Sequence, residues 1–250
     1  MISNEISFLC LDLPGHGYSS HLHKGQYYFV YYDGLMLLRR VARHFQWSKI
    51  KLLGHSLGGA IGFLYAASYP DEVDLLISLD IASPTVKTIS KCVTLTKDNV
   101  DKYLKYEQHT NDSAPVYDYA EMVDIVMDAY GGSITRESAQ VLMRRGTQPA
   151  AIPGKHVFSR DPRLKVSLLG MLSMDLTSEY ARQIKCRYLN IRAMPGLKFD
   201  HPEHYQEILD IIKNNSEKFE YHEVQGSHHV HLNEPEKVAP IIKNFLGIAA

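Results

Sequence analysis

One serine, a group of histidines and two aspartates close apolar runs in this chain, and together they could carry out nucleophilic catalysis. The serine is Ser56, in Gly54-His55-Ser56-Leu57-Gly58. A short apolar run, Ile50 to Leu53, comes before it, and a helical pattern (Ala60, Ile61, Phe63, Leu64, Ala67) comes after. Gly-x-Ser-x-Gly between a strand and a helix is a nucleophile elbow, a strained turn that lifts the serine above the C-terminal edge of a sheet. The expectation is that a Cβ at Gly54 or Gly58 would strike neighbouring backbone. Gly59, Ala60 and Gly62 should keep the helix thin against the strands. The helix start also brings unpaired N–H groups and a positive dipole end close to the hydroxyl.

A serine hydroxyl attacks a carbonyl carbon only when a base takes its proton, and the base needs a third group to hold its tautomer. The base is sought in Gln225-Gly226-Ser227-His228-His229-Val230-His231, and the acid in Pro195-Gly196-Leu197-Lys198-Phe199-Asp200. Asp80, which closes the apolar run Val73 to Leu79, is the alternative acid. In a parallel sheet the loops that leave the strand C-termini open onto one edge, and the chain order Ser, Asp, His suits this elbow. His228, His229 and His231 also suggest a metal site. No nearby cysteine or carboxylate pair completes a ligand set, so metal binding is the weaker reading and no metal is expected.

The elements that must position these groups follow from periodicity. Residues 5–11 read as a buried strand, running into the turn Asp12-Leu13-Pro14-Gly15-His16-Gly17-Tyr18-Ser19. Residues 27–46 are amphipathic at helical spacing. The elbow strand and its helix come next, the helix ending near Tyr69-Pro70, and then the run to Asp80. Strand, helix, strand, helix, strand is the order of a parallel sheet with crossover helices. From Ile81 to Lys185 no core strand is expected. Helices at 116–130 and 136–145, a loose stretch from Pro149 to Pro162 and a Leu/Met-rich segment from Leu164 to Gln183 read as a helical cap over the strand C-termini. His109 to Ser113 is expected to be a flexible loop. The sheet resumes at Cys186 to Arg192 and at 218–224, each followed by a helix. The domain reading is a core of residues 1–82 and 184–250 with a cap of residues 83–183.

The bulk properties exclude other classes. The chain has 250 residues, 45% of them apolar, which suffices for one core with a subdomain. Its 27 lysines and arginines balance 28 acidic residues, so charge offers no attraction to nucleic acid or an anionic membrane. Three scattered cysteines (Cys10, Cys92, Cys186) suit a reducing compartment, with Cys10 and Cys186 placed in strands as core residues. No apolar run is long enough to span a membrane, and neither a signal-peptide layout nor a peroxisomal ending is visible. The expectation is a soluble cytoplasmic protein; its oligomeric state is not legible.

Asp-Leu-Pro-Gly-His-Gly-x-Ser at residues 12–19, Leu-Gly-His-Ser-Leu-Gly-Gly at 53–59 and Gly-Ser-His-His-Val-His-Leu-Asn-Glu-Pro at 226–235 resemble the α/β-hydrolase superfamily. More narrowly, they resemble the serine hydrolase-like proteins of animals, and the likeness extends to Phe158-Ser159-Arg160-Asp161 in the cap. The resemblance implies Ser56 as nucleophile, His228 as general base, Asp200 as acid and the Leu57 N–H as an oxyanion donor. It also implies a small-molecule ester substrate hydrolysed without a cofactor.

In that superfamily the first of these motifs follows the fourth strand, whereas here it stands at residue 12. The resemblance therefore implies an N-terminally truncated fold of about five core strands. It would lack the first three strands and the His-Gly loop after the third, which supplies the second oxyanion donor. Loss of one such donor costs on the order of 10²–10³ in turnover. Residues 5–11 and 49–54 would otherwise face a gap lined by unpaired backbone groups, at about 1–3 kcal/mol each, so 5–11 is expected to pair directly with 49–54. A catalytically impaired binding protein is the alternative to an active esterase.

Overall fold

The computed structural model describes residues 6–108, 114–166 and 170–248. Among these, the order is α1 (Val30–His44), β1 (Ile50–His55), α2 (Leu57–Ser68), β2 (Val73–Leu79), α3 (Ile89–Glu107), α4 (Tyr119–Ala129), α5 (Arg136–Gly146), β3 (Thr147–Pro149), β4 (His156–Phe158), α6 (Met174–Arg182), β5 (Arg187–Pro195), α7 (Pro202–Asn215), β6 (Phe219–Gly226), α8 (Val230–Asn233) and α9 (Ala239–Leu246). Glu5, the 109–113 loop and residues 167–169 of the Leu/Met-rich segment lie outside the described residues.

The chain divides into two compact units. The first comprises Met1–Phe8, Tyr31–Lys91 and Gly170–Ala250. Its sheet has the order β1-β2-β5-β6, and every pair is parallel. β2 and β5 are central, and β2 is buried along nearly its whole length on both faces, as a strand covered on both sides must be. One face sets Leu75, Ile77 and Leu79 of β2 and Leu189 and Ile191 of β5 against Val238, Ile242 and Phe245. Each such side chain withdrawn from water is worth about 1.5–3 kcal/mol. α2 is buried from Gly59 through Ala67, so its apolar residues need no polar stripe.

Two strand expectations are corrected here. Among the described residues the sheet has four strands rather than about five, and residues 6–11 form none. A strand exists through its ladder, and 6–11 is paired with no strand among the described residues; Phe8 and Leu9 are half exposed and Cys10 is exposed. β1 is consequently an edge strand, with Leu53 on its exposed side. The direct pairing of 5–11 with 49–54 does not occur over the described residues. Cys186, by contrast, is buried, and burial pushes its thiol up to about 12.

The second unit comprises Leu9–Val30 and Cys92–Leu169. It contains α4 and α5, as the apolar spacing predicted, and two elements that the spacing did not reveal. α3 was hidden because its sequence is rich in polar and β-branched residues and Tyr103 is its buried member. Of the antiparallel pair β3–β4, β4 falls in the stretch expected to be loose and β3 ends where that stretch begins; three-residue strands are too short to show a period.

Residues 9–30 group with this unit and not with the sheet, held by an apolar cluster around Tyr28 and Tyr103 and by a buried ion pair. Arg163 donates to the Asp161 carboxylate through Nε and Nη2, and to the carbonyls of Leu22, His23 and Gln26. Tyr28 Oη–H donates to Asp161 at 2.9 Å, and the Asp161 N–H donates to the Gly15 carbonyl at 2.8 Å. Asp161 and Arg163 are both buried. Asp161→Ala would leave the guanidinium buried without its counter-ion, so it is expected to destabilise the unit by about 3–5 kcal/mol. Urea unfolding followed by tyrosine fluorescence measures this, and a loss of under about 1 kcal/mol would show the pair to be dispensable. No helix among the described residues is long and apolar enough to cross a membrane.

Candidate active site

Ser56 sits between β1 and α2 with φ 50° and ψ −118°, a left-handed conformation unfavourable for a residue with a side chain. The turn is tight at Gly54, where a Cβ would lie 2.3 Å from the Gly58 carbonyl carbon. Gly58 itself has open space beside it, which corrects the expectation of a collision there. The second close approach belongs to Gly59, whose Cβ would lie 2.4 Å from Ile81. Ser56 heads α2, so the first-turn N–H groups, that of Leu57 included, have no partner within the helix.

The Ser56 N–H donates to the Leu79 carbonyl at 3.2 Å, which fixes the serine beside the end of β2, where Asp80 begins. Asp80 also has a left-handed backbone, φ 50°, and its N–H donates to the Ile191 carbonyl at 2.8 Å. Its carboxylate is buried and held at both oxygens. Oδ1 accepts from the Ala193 N–H at 3.0 Å, and Oδ2 accepts from the Leu197 N–H at 2.7 Å. Gly196 permits this approach: it has φ +55°, and a Cβ there would lie 2.6 Å from Asp80 Oδ1. The segment after Asp80 is pinned from β2 and β5, because Ser78 Oγ and Asn190 Nδ2 each donate to the Ile81 carbonyl at 2.8 Å. Tyr205 Oη–H in turn holds Asn190 Oδ1 at 2.7 Å.

His228 lies just beyond β6 and meets Asp80: Nδ1 is 2.7 Å from Asp80 Oδ2. A carboxylate only accepts, so the proton sits on Nδ1 and leaves a lone pair on Nε2. The loop is braced by Asn233 Nδ2 and the His229 N–H, both donating to Ser227 Oγ. His55, the residue before Ser56, adds a contact that the sequence did not single out. Its Nε2–H donates to the His228 carbonyl at 2.7 Å, tying the elbow directly to the histidine loop. Its ring packs against those of His228, His229 and His231. Burial first, and then the neighbouring imidazoles, push His55 down to about 2 and His231 down to about 4, so both are neutral at pH 7.

Asp200 does not reach His228. Its carboxylate faces Lys91 Nζ at 3.3 Å and Lys87 Nζ at 4.0 Å. The acid beside the histidine is the alternative, Asp80. The reason lies in position along the chain: Asp200 falls five residues after β5 ends and two before α7 begins, whereas Asp80 follows directly on a central strand. The three histidines of the last loop do not bring their nitrogens to one point. Among the described residues, the group whose ligand atoms lie within 4.8 Å of one another is His201, Glu203 and His204.

A serine in a left-handed strand-to-helix turn above a parallel sheet is the signature of α/β hydrolases, and comparison with known proteins agrees. Residues 4–103 match the family defined by the alpha/beta hydrolase fold. Over 246 residues the chain is 47% identical to a probable serine hydrolase of Drosophila melanogaster, covering 98% of this chain and 74% of that protein. It is 30% identical over 251 residues to a serine hydrolase-like protein of Danio rerio, covering 98% and 75% respectively. Among solved structures, a hypothetical protein from Pseudomonas aeruginosa PAO1 superposes with a TM-score of 0.78 at 27% identity, over 94% of this chain and 80% of that one. The chain belongs to the serine hydrolase-like family of α/β hydrolases, and its chemistry is hydrolytic.

Proposed function

We propose that the chain hydrolyses small carboxylic esters through an acyl-enzyme on Ser56, with His228 as general base and Asp80 as the acid that orients it. Ser56 Oγ attacks the ester carbonyl carbon while its proton passes to His228 Nε2. The Leu57 N–H, free at the start of α2, donates to the developing oxyanion. Collapse of the tetrahedral intermediate expels the alcohol, which takes the proton from Nε2. Water then repeats the sequence at the acyl carbon, giving up a proton to Nε2, and Ser56 regains its proton as the acid departs. Asp80 keeps its charge throughout and stabilises the transient imidazolium. The observation that carries this reading is the 2.7 Å contact between His228 Nδ1 and a buried carboxylate already held by two backbone N–H groups.

An organophosphonate serine probe tests it. Covalent labelling of Ser56, located by peptide mass, is expected in the parent chain and absent in Ser56→Ala. Turnover of a short-chain p-nitrophenyl ester should fall in that variant by up to about 10⁶-fold. A folded parent chain that is not labelled would overturn the reading in favour of ligand binding without turnover.

A further inference from the structure

Outside the Ser56 site, two imidazoles and a carboxylate come together where α7 begins. Pro202 stands in the first turn of that helix, and the His204 N–H donates to the His201 carbonyl at 3.2 Å, so the two histidines are one turn apart on one face. Their rings are 4.6 Å apart and nearly parallel, at 22°. His201 Nδ1 is 3.1 Å from Glu203 Oε1, and His201 Nε2 is 3.1 Å from Thr88 Oγ1. His204 Nδ1 is buried and has no hydrogen-bond partner.

We propose that His201, Glu203 and His204 form a binding site for a zinc-like divalent transition ion. Two imidazole nitrogens and one carboxylate oxygen are a donor set that such ions take, with solvent completing the tetrahedron. The His201–Glu203 contact is what the site looks like when a proton occupies the place of the ion. On binding, Nδ1 of His201 gives up its hydrogen bond to Glu203 and the imidazole proton moves to Nε2. There Thr88 Oγ1 accepts it, since a hydroxyl can serve as donor or acceptor. That leaves His201 with the outer hydrogen bond that metal-bound histidines ordinarily make. The neighbouring cations Lys87 and Lys91 are engaged by Asp200 rather than by Glu203.

The test is titration of the full chain with Zn²⁺ by calorimetry and with Co²⁺ by visible absorption. One equivalent is expected to bind, and Co²⁺ should give the intense d–d bands of a four-coordinate site. His201→Ala and His204→Gln should each abolish those bands. Thr88→Val, which keeps all three ligands, should weaken binding by about 10–100-fold. Failure of the parent chain to bind a stoichiometric ion would overturn the proposal. So would binding that survives the His201→Ala/His204→Gln double variant, which would place the ion on the histidines around His55.

Discussion

Asp80→Asn is expected to lower kcat/KM for ester hydrolysis on the order of 10⁴-fold, while Asp200→Asn stays close to the parent value. The asymmetry comes from what each carboxylate touches. Asp80 Oδ2 faces His228 Nδ1, and the Ala193 and Leu197 N–H groups donate to Oδ1 and Oδ2 respectively. An amide at residue 80 presents an NH₂ group to those same donors. Either the amide turns its NH₂ toward backbone N–H, or His228 adopts the tautomer that carries its proton on Nε2. In the second case the nitrogen that must take the serine proton is already occupied. Asp200 meets lysines instead, and an amide there loses a partly exposed ion pair worth at most about 1 kcal/mol. Steady-state kinetics of the two variants, with circular dichroism to verify folding, decide the matter. Comparable losses in both, or a loss confined to Asp200→Asn, would return the acid role to residue 200.

A second large effect is expected on acidification. His55 and His231 are held neutral in the fold, at about 2 and about 4, against an unfolded value near 6.5. Above pH 6.5 neither state binds the proton and the two histidines contribute no pH dependence. Below it the unfolded chain takes up protons that the folded chain refuses, so stability falls as pH falls. The loss runs at up to about 1.4 kcal/mol per pH unit for each histidine, continuing to about pH 4 for His231 and lower for His55. Two such groups remove up to about 4 kcal/mol between pH 6 and 4.5, a large part of an ordinary folding free energy. The slope should appear well above the carboxylate range. Urea midpoints measured across that interval are expected to drop steeply for the parent chain and much less for His55→Gln/His231→Gln. Glutamine at residue 55 also retains a donor for the His228 carbonyl. Parallel slopes in the parent and the double variant would refute this origin of acid lability.

The elbow, the histidine loop and the crossover rhythm of the first unit were legible in the sequence because each rests on local signals. Glycines crowd around Ser56, the apolar runs of β1 and β2 stop abruptly, and His228 lies two residues beyond β6. The three dimensions decided the rest. Which aspartate meets His228 depends on where β2 and β5 end relative to each other, and neither Asp80 nor Asp200 carries a local mark of that. The 6–11 run has the composition of a strand, but a ladder needs a neighbour, so β1 stands at the edge of the sheet. Leu9–Val30 belongs with the helical unit in part because Arg163 and Asp161, more than a hundred residues away, satisfy its carbonyls and its tyrosine. Local propensity follows neighbours along the chain, whereas strand partners and buried charges are settled by contacts that only the folded backbone creates.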